Sequence, residues 1–262
     1  MLKPRSFTFF ASRNDLVLSG TSVFSEMIEQ AAAMSSAYAE PRTLRLTLPA
    51  ISLDRSEDFD MDLAMASRWY ERGQAAGFRW INQPFHLSGN GNAEPEKIQI
   101  LSDILAKHQG MFSSINVTSV DAIPIASRIY SRVCKSLSRR DFRGFANFRL
   151  GIGFNITDYT PFFPFSDGGE TGVSVALESL PIVRDAWVRY RDLGGVSRVL
   201  LSELEKAQAG FERALKGTRF AYKGADWSLA PLPNGDESVV QLIEVISGNP
   251  IGSGGNVNII SK

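Results

Sequence analysis

Two carboxylates flank a pair of glycines in the run D-G-G-E at residues 167–170. Glycine adopts backbone angles that other residues avoid, so the chain can turn between Asp167 and Glu170 and bring both acids to one point. Paired carboxylates bind hard divalent cations and transfer protons. We therefore predict that Asp167 and Glu170 are catalytic and that a divalent cation is a cofactor they could hold. The alternative is an acidic surface turn, since Asp-Gly pairs are common in turns.

Small polar residues interrupt the apolar run M-F-S-S-I-N-V-T at residues 111–118. We predict that Ser113, Ser114 and Asn116 bind a ligand. Side chains alternate along a strand, so Ser114 and Asn116 are expected to face the same side. The alternative is that these residues satisfy backbone groups inside a tight barrel.

Two further polar residues lie next to predicted strands. His86 follows a short apolar strand, in the run Q-P-F-H-L-S-G-N, and is predicted to bind the ligand. The alternative is an ordinary loop histidine. Asp226 begins another predicted strand and is the third predicted catalytic residue, with a buried polar anchor as its alternative.

The elements that must position these residues alternate between strands and helices. Alternating apolar residues predict strands, and apolar residues at helical spacing predict helices. The predicted strands are 6–10, 43–51, 78–81, 111–118, 144–155, 171–177 and 226–230, and the predicted helices are 21–39, 58–76, 94–108, 121–137, 196–215 and 237–246. This order is typical of parallel β-α-β units, so we predict a single α/β domain over residues 1–262 with a mostly parallel sheet. Ligands bind such sheets at the carboxyl ends of the strands.

Composition argues against several classes of protein. The chain has 28 Lys and Arg residues and 28 Asp and Glu residues, so a polybasic surface for nucleic acid or membrane is not expected. One cysteine, Cys134, and two histidines are too few for an intramolecular disulfide or a zinc site. No run is apolar enough for a signal peptide or a membrane span. We therefore expect a cytoplasmic protein.

Three sequence blocks carry a family resemblance: S-S-I-N-V-T-S at 113–119, G-F-A-N-F-R-L-G-I-G-F at 144–154 with the following P-F-F-P and D-G-G-E, and D-W-S-L-A-P-L-P-N-G-D at 226–236. Their order and spacing resemble the family catalogued as domain of unknown function 711, whose members are often labelled pyruvate-formate-lyase-like. The resemblance covers residues 41–250 and leaves residues 1–40 unplaced. It implies an α/β barrel related in topology to the glycyl-radical enzymes.

The chain departs from the family pattern in two ways. Members are typically longer, so the resemblance implies a shortened and incompletely closed barrel. Some members have a cysteine directly before the first block, where this chain has Phe112, and a thiyl radical cannot form on phenylalanine. The run I-G-S-G-G-N at 251–256 also lacks the arginine-valine-glycine-aromatic pattern of a glycyl-radical loop. Glycyl-radical chemistry is therefore not expected.

Two functions remain as hypotheses. In the first, the protein is an α/β-barrel enzyme or former enzyme that binds a small anionic metabolite at the carboxyl ends of the strands. In the alternative, it is a non-catalytic binding or scaffold protein whose aromatic loop, residues 154–165, contacts a partner, because exposed aromatic patches mark interaction sites. An unclosed sheet also exposes strand edges that proteins normally cover, so we expect a homo-oligomer. The alternative is a covering segment of the chain, for which residues 1–40 are the candidate.

Overall fold

The structure is a computed structural model of the chain and describes residues 1–20, 22–54, 59–89, 95–140, 145–156, 159–229 and 238–253. The strands in this part of the chain are β1 (Lys3–Phe10), β2 (Thr43–Thr47), β3 (Ile51–Ser52), β4 (Trp80–Leu87), β5 (Met111–Val117), β6 (Leu150–Phe154), β7 (Gly172–Glu178) and β8 (Ala221–Asp226). The α-helices are α1 (Arg13–Leu18), α2 (Ser22–Ala37), α3 (Phe59–Ala76), α4 (Pro95–Lys107), α5 (Ile123–Arg140), α6 (Leu180–Tyr190), α7 (Leu193–Leu215) and α8 (Val239–Ser247). Two 3₁₀ helices, Val120–Ala122 and Phe145–Arg149, precede α5 and β6.

The strands form one sheet in the order β6-β5-β4-β2-β1-β7-β8, and β3 pairs with β4. The five strands from β6 to β1 run parallel to one another. β7 is antiparallel to β1 and parallel to β8, so the last two strands run in the other direction. The sheet curls into half of a barrel. The predicted α/β fold with a mostly parallel, curved sheet is confirmed.

One face of the sheet packs against the helices because alternate strand residues are apolar. Phe7 and Phe9 of β1 are fully buried. The Phe7 ring meets Phe211 of α7 at 5.6 Å between centroids, and the Phe9 ring meets Phe78 at 6.0 Å, both edge to face. This core fixes the orientation of the strands, so the intervening strand residues point to the opposite face, which we call the inner face.

The segment between β6 and β7 lies against the inner face. We call its described residues, 155–156 and 159–171, the inner loop. The Phe163 ring packs on Phe112 of β5 at 5.3 Å. Pro164 and Phe165 lie over Gly151 of β6, where a Cβ atom would come within 2.6 Å of the Phe165 ring. Glycine is therefore required at this position for the loop to approach the sheet.

Four of the strand predictions have wrong bounds, and two of the four concern the position of a predicted site residue. The strand predicted at 226–230 is wrong, because β8 precedes it and Asp226 is its last residue. β8 has the sequence A-Y-K-G-A-D, with Gly224 at φ +92° and a register shift against β7 between Val173 and Val175. A bulge of this kind breaks the alternation on which strand prediction depends. The strand predicted at 78–81 extends through β4 to Leu87, which places His86 inside a strand.

The other two predicted strands are interrupted or shortened. The strand predicted at 43–51 is divided into β2 and β3 around Pro49, which has no amide hydrogen to donate to a sheet. The strand predicted at 144–155 is reduced to β6, with the 3₁₀ helix before it. The helix α6 was not predicted. The first residue of the helix predicted at 237–246 lies outside the described residues, and the rest of that helix corresponds to α8.

Candidate functional site

A histidine and a carboxylate meet at the carboxyl edge of the parallel strands. His86, near the end of β4, donates a hydrogen bond from Nε2 to Oδ2 of Asp167 in the inner loop at 2.7 Å. The His86 side chain is 45% exposed, whereas the Asp167 side chain is 8% exposed. Asp167 is therefore buried inside the half-barrel, and its partner His86 is accessible to solvent.

Asn116 of β5 holds both ends of the inner loop. Its Nδ2 donates to the Ile156 carbonyl at 2.8 Å and to Asp167 Oδ2 at 3.3 Å, and its Oδ1 accepts the Ile156 amide at 3.0 Å. Asp167 Oδ1 also accepts the Gly168 amide at 2.8 Å. The Asp167 carboxylate thus accepts donors on both oxygens, and these donors fix its orientation toward His86.

A layer of polar strand residues lies beneath this pair and binds Ser166. The Ser166 carbonyl accepts hydrogen bonds from Asn82 Nδ2 at 2.5 Å and from Ser114 Oγ at 3.4 Å. Its hydroxyl pairs with that of Thr47. Asn82 also donates to Ser114 Oγ at 3.2 Å. For Ser114, these contacts agree with the alternative to ligand binding given above, in which small polar residues satisfy backbone groups inside the barrel.

The two histidines have opposite electrostatic environments. The pKa of His86 is raised above its usual value, chiefly because its hydrogen bond to Asp167 stabilises the imidazolium, while burial acts in the other direction. Burial lowers the pKa of His108, and the nearby charge of Lys107 adds to that effect. Near neutral pH, His86 is therefore the imidazole that carries positive charge more readily. Such a group can bind an anion or exchange a proton with a ligand.

The structure separates the other predicted site residues from this pair. Glu170 is 80% exposed in its side chain and bonds to Lys223 Nζ at 3.2 Å. Asp226 forms an ion pair with Arg5 at 2.6 Å. It lies at the opposite edge of the sheet, because β7 and β8 run against the other strands. Ser113 points to the helix face and donates to the Gln83 carbonyl at 3.0 Å. Of the predicted residues, the structure brings together His86, Asp167, Asn116 and Ser114.

Sequence reasoning missed three polar residues of the inner face. Thr47 and Asn82 bind Ser166, and the Arg45 guanidinium lies over the Phe163 ring at 5.4 Å. Arg45 and Thr47 occupy alternate positions between apolar residues, in the run L-R-L-T-L at 44–48, whereas Asn82 stands between Ile81 and Gln83. For Arg45 and Thr47 this alternation was the available signal, since it places them on the face opposite the apolar core.

The described residues contain no group of three or more His, Cys, Asp or Glu side chains arranged to hold a metal ion. In particular, Asp167 and Glu170 do not form such a group. A search of the helices in the described part of the chain found none long and apolar enough to cross a membrane.

The model of a family described as Uncharacterised ACR (DUF711) matches residues 16–261. The chain therefore belongs to this family. The match confirms the resemblance read from the three sequence blocks and extends it toward the N-terminus from residue 41 to residue 16. A comparison with curated proteins found no match.

Proposed function

We propose that this family member is an α/β enzyme or former enzyme that binds a small anionic metabolite at the carboxyl edge of its parallel strands. The observation that carries the proposal is the half-exposed His86, bonded through Nε2 to the buried carboxylate of Asp167. Ligands of parallel α/β sheets bind at this edge. We propose that His86 binds the ligand, as predicted, and that Asp167 holds His86 in place of the catalytic role predicted for it from the sequence.

Each residue has a distinct proposed role. His86 is the group that meets the ligand, because its second ring nitrogen, Nδ1, has no hydrogen-bond partner among the described residues. With Nε2 held by Asp167, Nδ1 is left to donate a proton to a bound anion or to take one from it. Asp167 is a positioning residue that fixes the ring and favours its charged form. Asn116 positions Asp167 in turn.

The proposal is tested by thermal-shift and calorimetric binding with four small anions: pyruvate, succinate, phosphoenolpyruvate and inorganic phosphate. Specific binding raises the melting temperature in proportion to affinity and concentration. At least one anion should stabilise the wild-type protein, and the effect should weaken as pH rises and His86 loses its proton. His86→Gln should abolish the effect.

The matched control is His108→Gln, because His108 packs against Tyr70 away from the inner loop, with 4.4 Å between ring centroids. This variant should keep the full response to the anion. Equal loss in both variants, or no response of the wild-type protein to any of the four anions, would contradict the proposal.

We also propose, from the family resemblance, that the half-barrel is related to the barrel of the glycyl-radical enzymes without sharing their chemistry. From the single cysteine we propose that the protein is cytoplasmic. A homo-oligomer is proposed because β6 and β8 stand at the two ends of the strand order. Unpaired strand edges favour association unless they are covered. Light scattering of the purified chain should give a mass above 28.8 kDa, and a monomer would contradict the oligomer.

A second candidate function is partner binding through the aromatic residues of the predicted loop 154–165. The observation that favours it is the exposure of Phe154 and Phe162, whereas Phe163 packs inward on Phe112. If this function is correct, a Phe154→Ser, Phe162→Ser double variant should lose self-association or partner binding and keep its response to anions. Unchanged association would remove this candidate.

A further inference from the structure

Residues of the inner loop and of β8 line a cavity of about 470 Å³. The inner loop contributes Tyr159, Pro161 and Phe162, and the other side is formed by Ser174 and residues 223–228. Phe162 and Trp227 are 47% and 52% exposed, so two large aromatic rings at this cavity are open to solvent. A largely apolar wall with a few polar groups is typical of sites for small organic ligands.

A bulge in β8 brings two charged side chains to this cavity. Side chains alternate along a regular strand, so residues three apart would point to opposite faces of the sheet. The register against β7 shifts within β8, and Ser174 therefore lies opposite both Lys223 and Gly224. The extra residue returns Asp226 to the face of Lys223, and both side chains line the cavity.

Lys223 supplies the positive charge of the cavity. Its side chain is 17% exposed, and its Nζ lies 4.1 Å from the centre of the Tyr159 ring. Burial acts to lower the pKa of Lys223, but contacts with Tyr159 and Glu170 raise it above its usual value, so the ammonium is charged at neutral pH. The charge of Asp226 is already neutralised by Arg5 at 2.6 Å. The cavity therefore favours an anion.

A carboxylate of the chain itself contacts this ammonium. Glu170 Oε2 accepts hydrogen bonds from Lys223 Nζ at 3.2 Å and from the Tyr159 hydroxyl at 3.5 Å. Both contacts are long for hydrogen bonds, and the Glu170 side chain is 80% exposed. An ion pair with so exposed a partner contributes little to stability. Glu170 therefore marks a position for an anion and can be displaced from it at small cost.

We propose that this cavity binds a small aromatic anion, whose charged group replaces Glu170 on Lys223 and whose ring lies on Phe162 and Trp227. Lysine binds anions as a compact point charge, and aromatic rings in contact add to the area that they bury. The site is separate from the His86–Asp167 pair and does not depend on the function proposed for that pair.

The test is calorimetric titration with indole-3-acetate as the probe and indole-3-acetamide as its uncharged analogue. The wild-type protein should bind one indole-3-acetate per chain and bind the amide more weakly. Lys223→Met keeps the apolar stem and should weaken indole-3-acetate binding by about five- to tenfold, to the level of the amide. Lys206→Met is the matched control, because Lys206 forms a similar pair with Glu203 outside the cavity, and it should leave both affinities unchanged.

Glu170→Gln separates a displaced carboxylate from a structural one. Without the competing charge, indole-3-acetate should bind about two- to fivefold more tightly, and the affinity for the amide should stay the same. Trp227→Ala should weaken the binding of both compounds by a similar factor, because the ring contact does not depend on the charge. If Lys223→Met does not fold, the gain in Glu170→Gln still decides the matter.

Two variants keep this site distinct from the first. His86→Gln should bind indole-3-acetate as the wild-type protein does, and Lys223→Met should keep the response to the small anions proposed for His86. Failure of the His86 proposal alone would therefore leave this result intact. The inference would be overturned by unchanged indole-3-acetate affinity in Glu170→Gln or in folded Lys223→Met, by loss of binding in His86→Gln, or by no binding to the wild-type protein below about 10 mM.

Discussion

Replacing Asn116 with alanine should remove the side-chain hydrogen bonds that connect Ile156 and Asp167 of the inner loop to β5. The side chain is 2% exposed and makes three hydrogen bonds, two to the Ile156 backbone and one to Asp167. A single hydrogen bond contributes about 0.5–1.5 kcal/mol net. Ile156 is partly exposed, so water can replace some of what is lost, and Asp167 keeps its bonds to His86 and Gly168. We therefore expect the free energy of unfolding to fall by about 2 kcal/mol.

The assay is urea unfolding followed by the fluorescence of the four tryptophans. Asn249→Ala is the matched control, because its amide is exposed and bonds only to the Ser247 carbonyl, and it should change stability by less than about 0.5 kcal/mol. Asn116→Asp keeps an acceptor for the Ile156 amide but places a second carboxylate beside Asp167. This variant should be destabilised at neutral pH and should recover partly in acid.

Hydrogen exchange locates the effect. In Asn116→Ala the Ile156 amide loses its acceptor and should exchange faster. The Asn155 amide bonds to the Val117 carbonyl and should keep most of its protection. If Asn116→Ala and Asn249→Ala are equally stable and Ile156 exchange is unchanged, the inner loop is held by its apolar contacts and the reasoning from Asn116 is refuted.

Three further predictions concern charge and packing. His86 has a folded pKa above its usual 6.5, so its contribution to stability is present below pH 6.5 and is lost as pH rises through the folded pKa. His86→Gln should therefore lower the melting temperature more at about pH 5 than at about pH 8, and a pH-independent difference would contradict this. Gly151→Val should cost at least about 1 kcal/mol in urea unfolding, because its Cβ would meet the Phe165 ring. Gly169→Val is the control for steric crowding, because a Cβ atom there would meet nothing within 4 Å, and it should cost less than Gly151→Val. Glu170→Gln should change stability by less than about 0.5 kcal/mol, since its pair with Lys223 is exposed on the carboxylate side, and a larger loss would show that the pair is structural.

Local patterns predicted the parts of the fold in which one face is apolar. The alternation in β5 placed Ser114 and Asn116 on one side, and both contact the inner loop. The helices α2, α3, α4 and α5 were predicted because their apolar residues recur at helical spacing. For the candidate site, His86 was singled out as a polar residue next to a strand and Asp167 as half of a carboxylate pair, and the structure brings the two side chains into contact.

The relative placement of the acids could not be predicted, because it depends on the direction of strands. The three predicted catalytic acids, Asp167, Glu170 and Asp226, would lie at one edge of the sheet only if all the strands were parallel. The reversal of β7 and β8 moves Asp226 to the opposite edge, where Arg5 pairs with it. The direction of β7 could not be predicted from local sequence patterns, because no helix or strand was predicted in the segment that connects it to β6. The packing of that segment on the inner face likewise depends on contacts between residues distant in sequence, such as Ser166 with Thr47.

The central claim is that Asp167 holds His86 as a charged group for an anionic ligand, and NMR of the two imidazoles tests it most directly. The chain has only two histidines, so His108→Gln assigns both signals. Between about pH 5 and pH 8, His86 should titrate above 6.5 in the wild-type protein and at a lower pH in Asp167→Asn. Addition of the anion that stabilises the wild-type protein should shift the signals of His86 and leave those of His108 in place. A His86 titration that is the same with and without the Asp167 carboxylate, and signals that do not respond to the anion, would contradict the account.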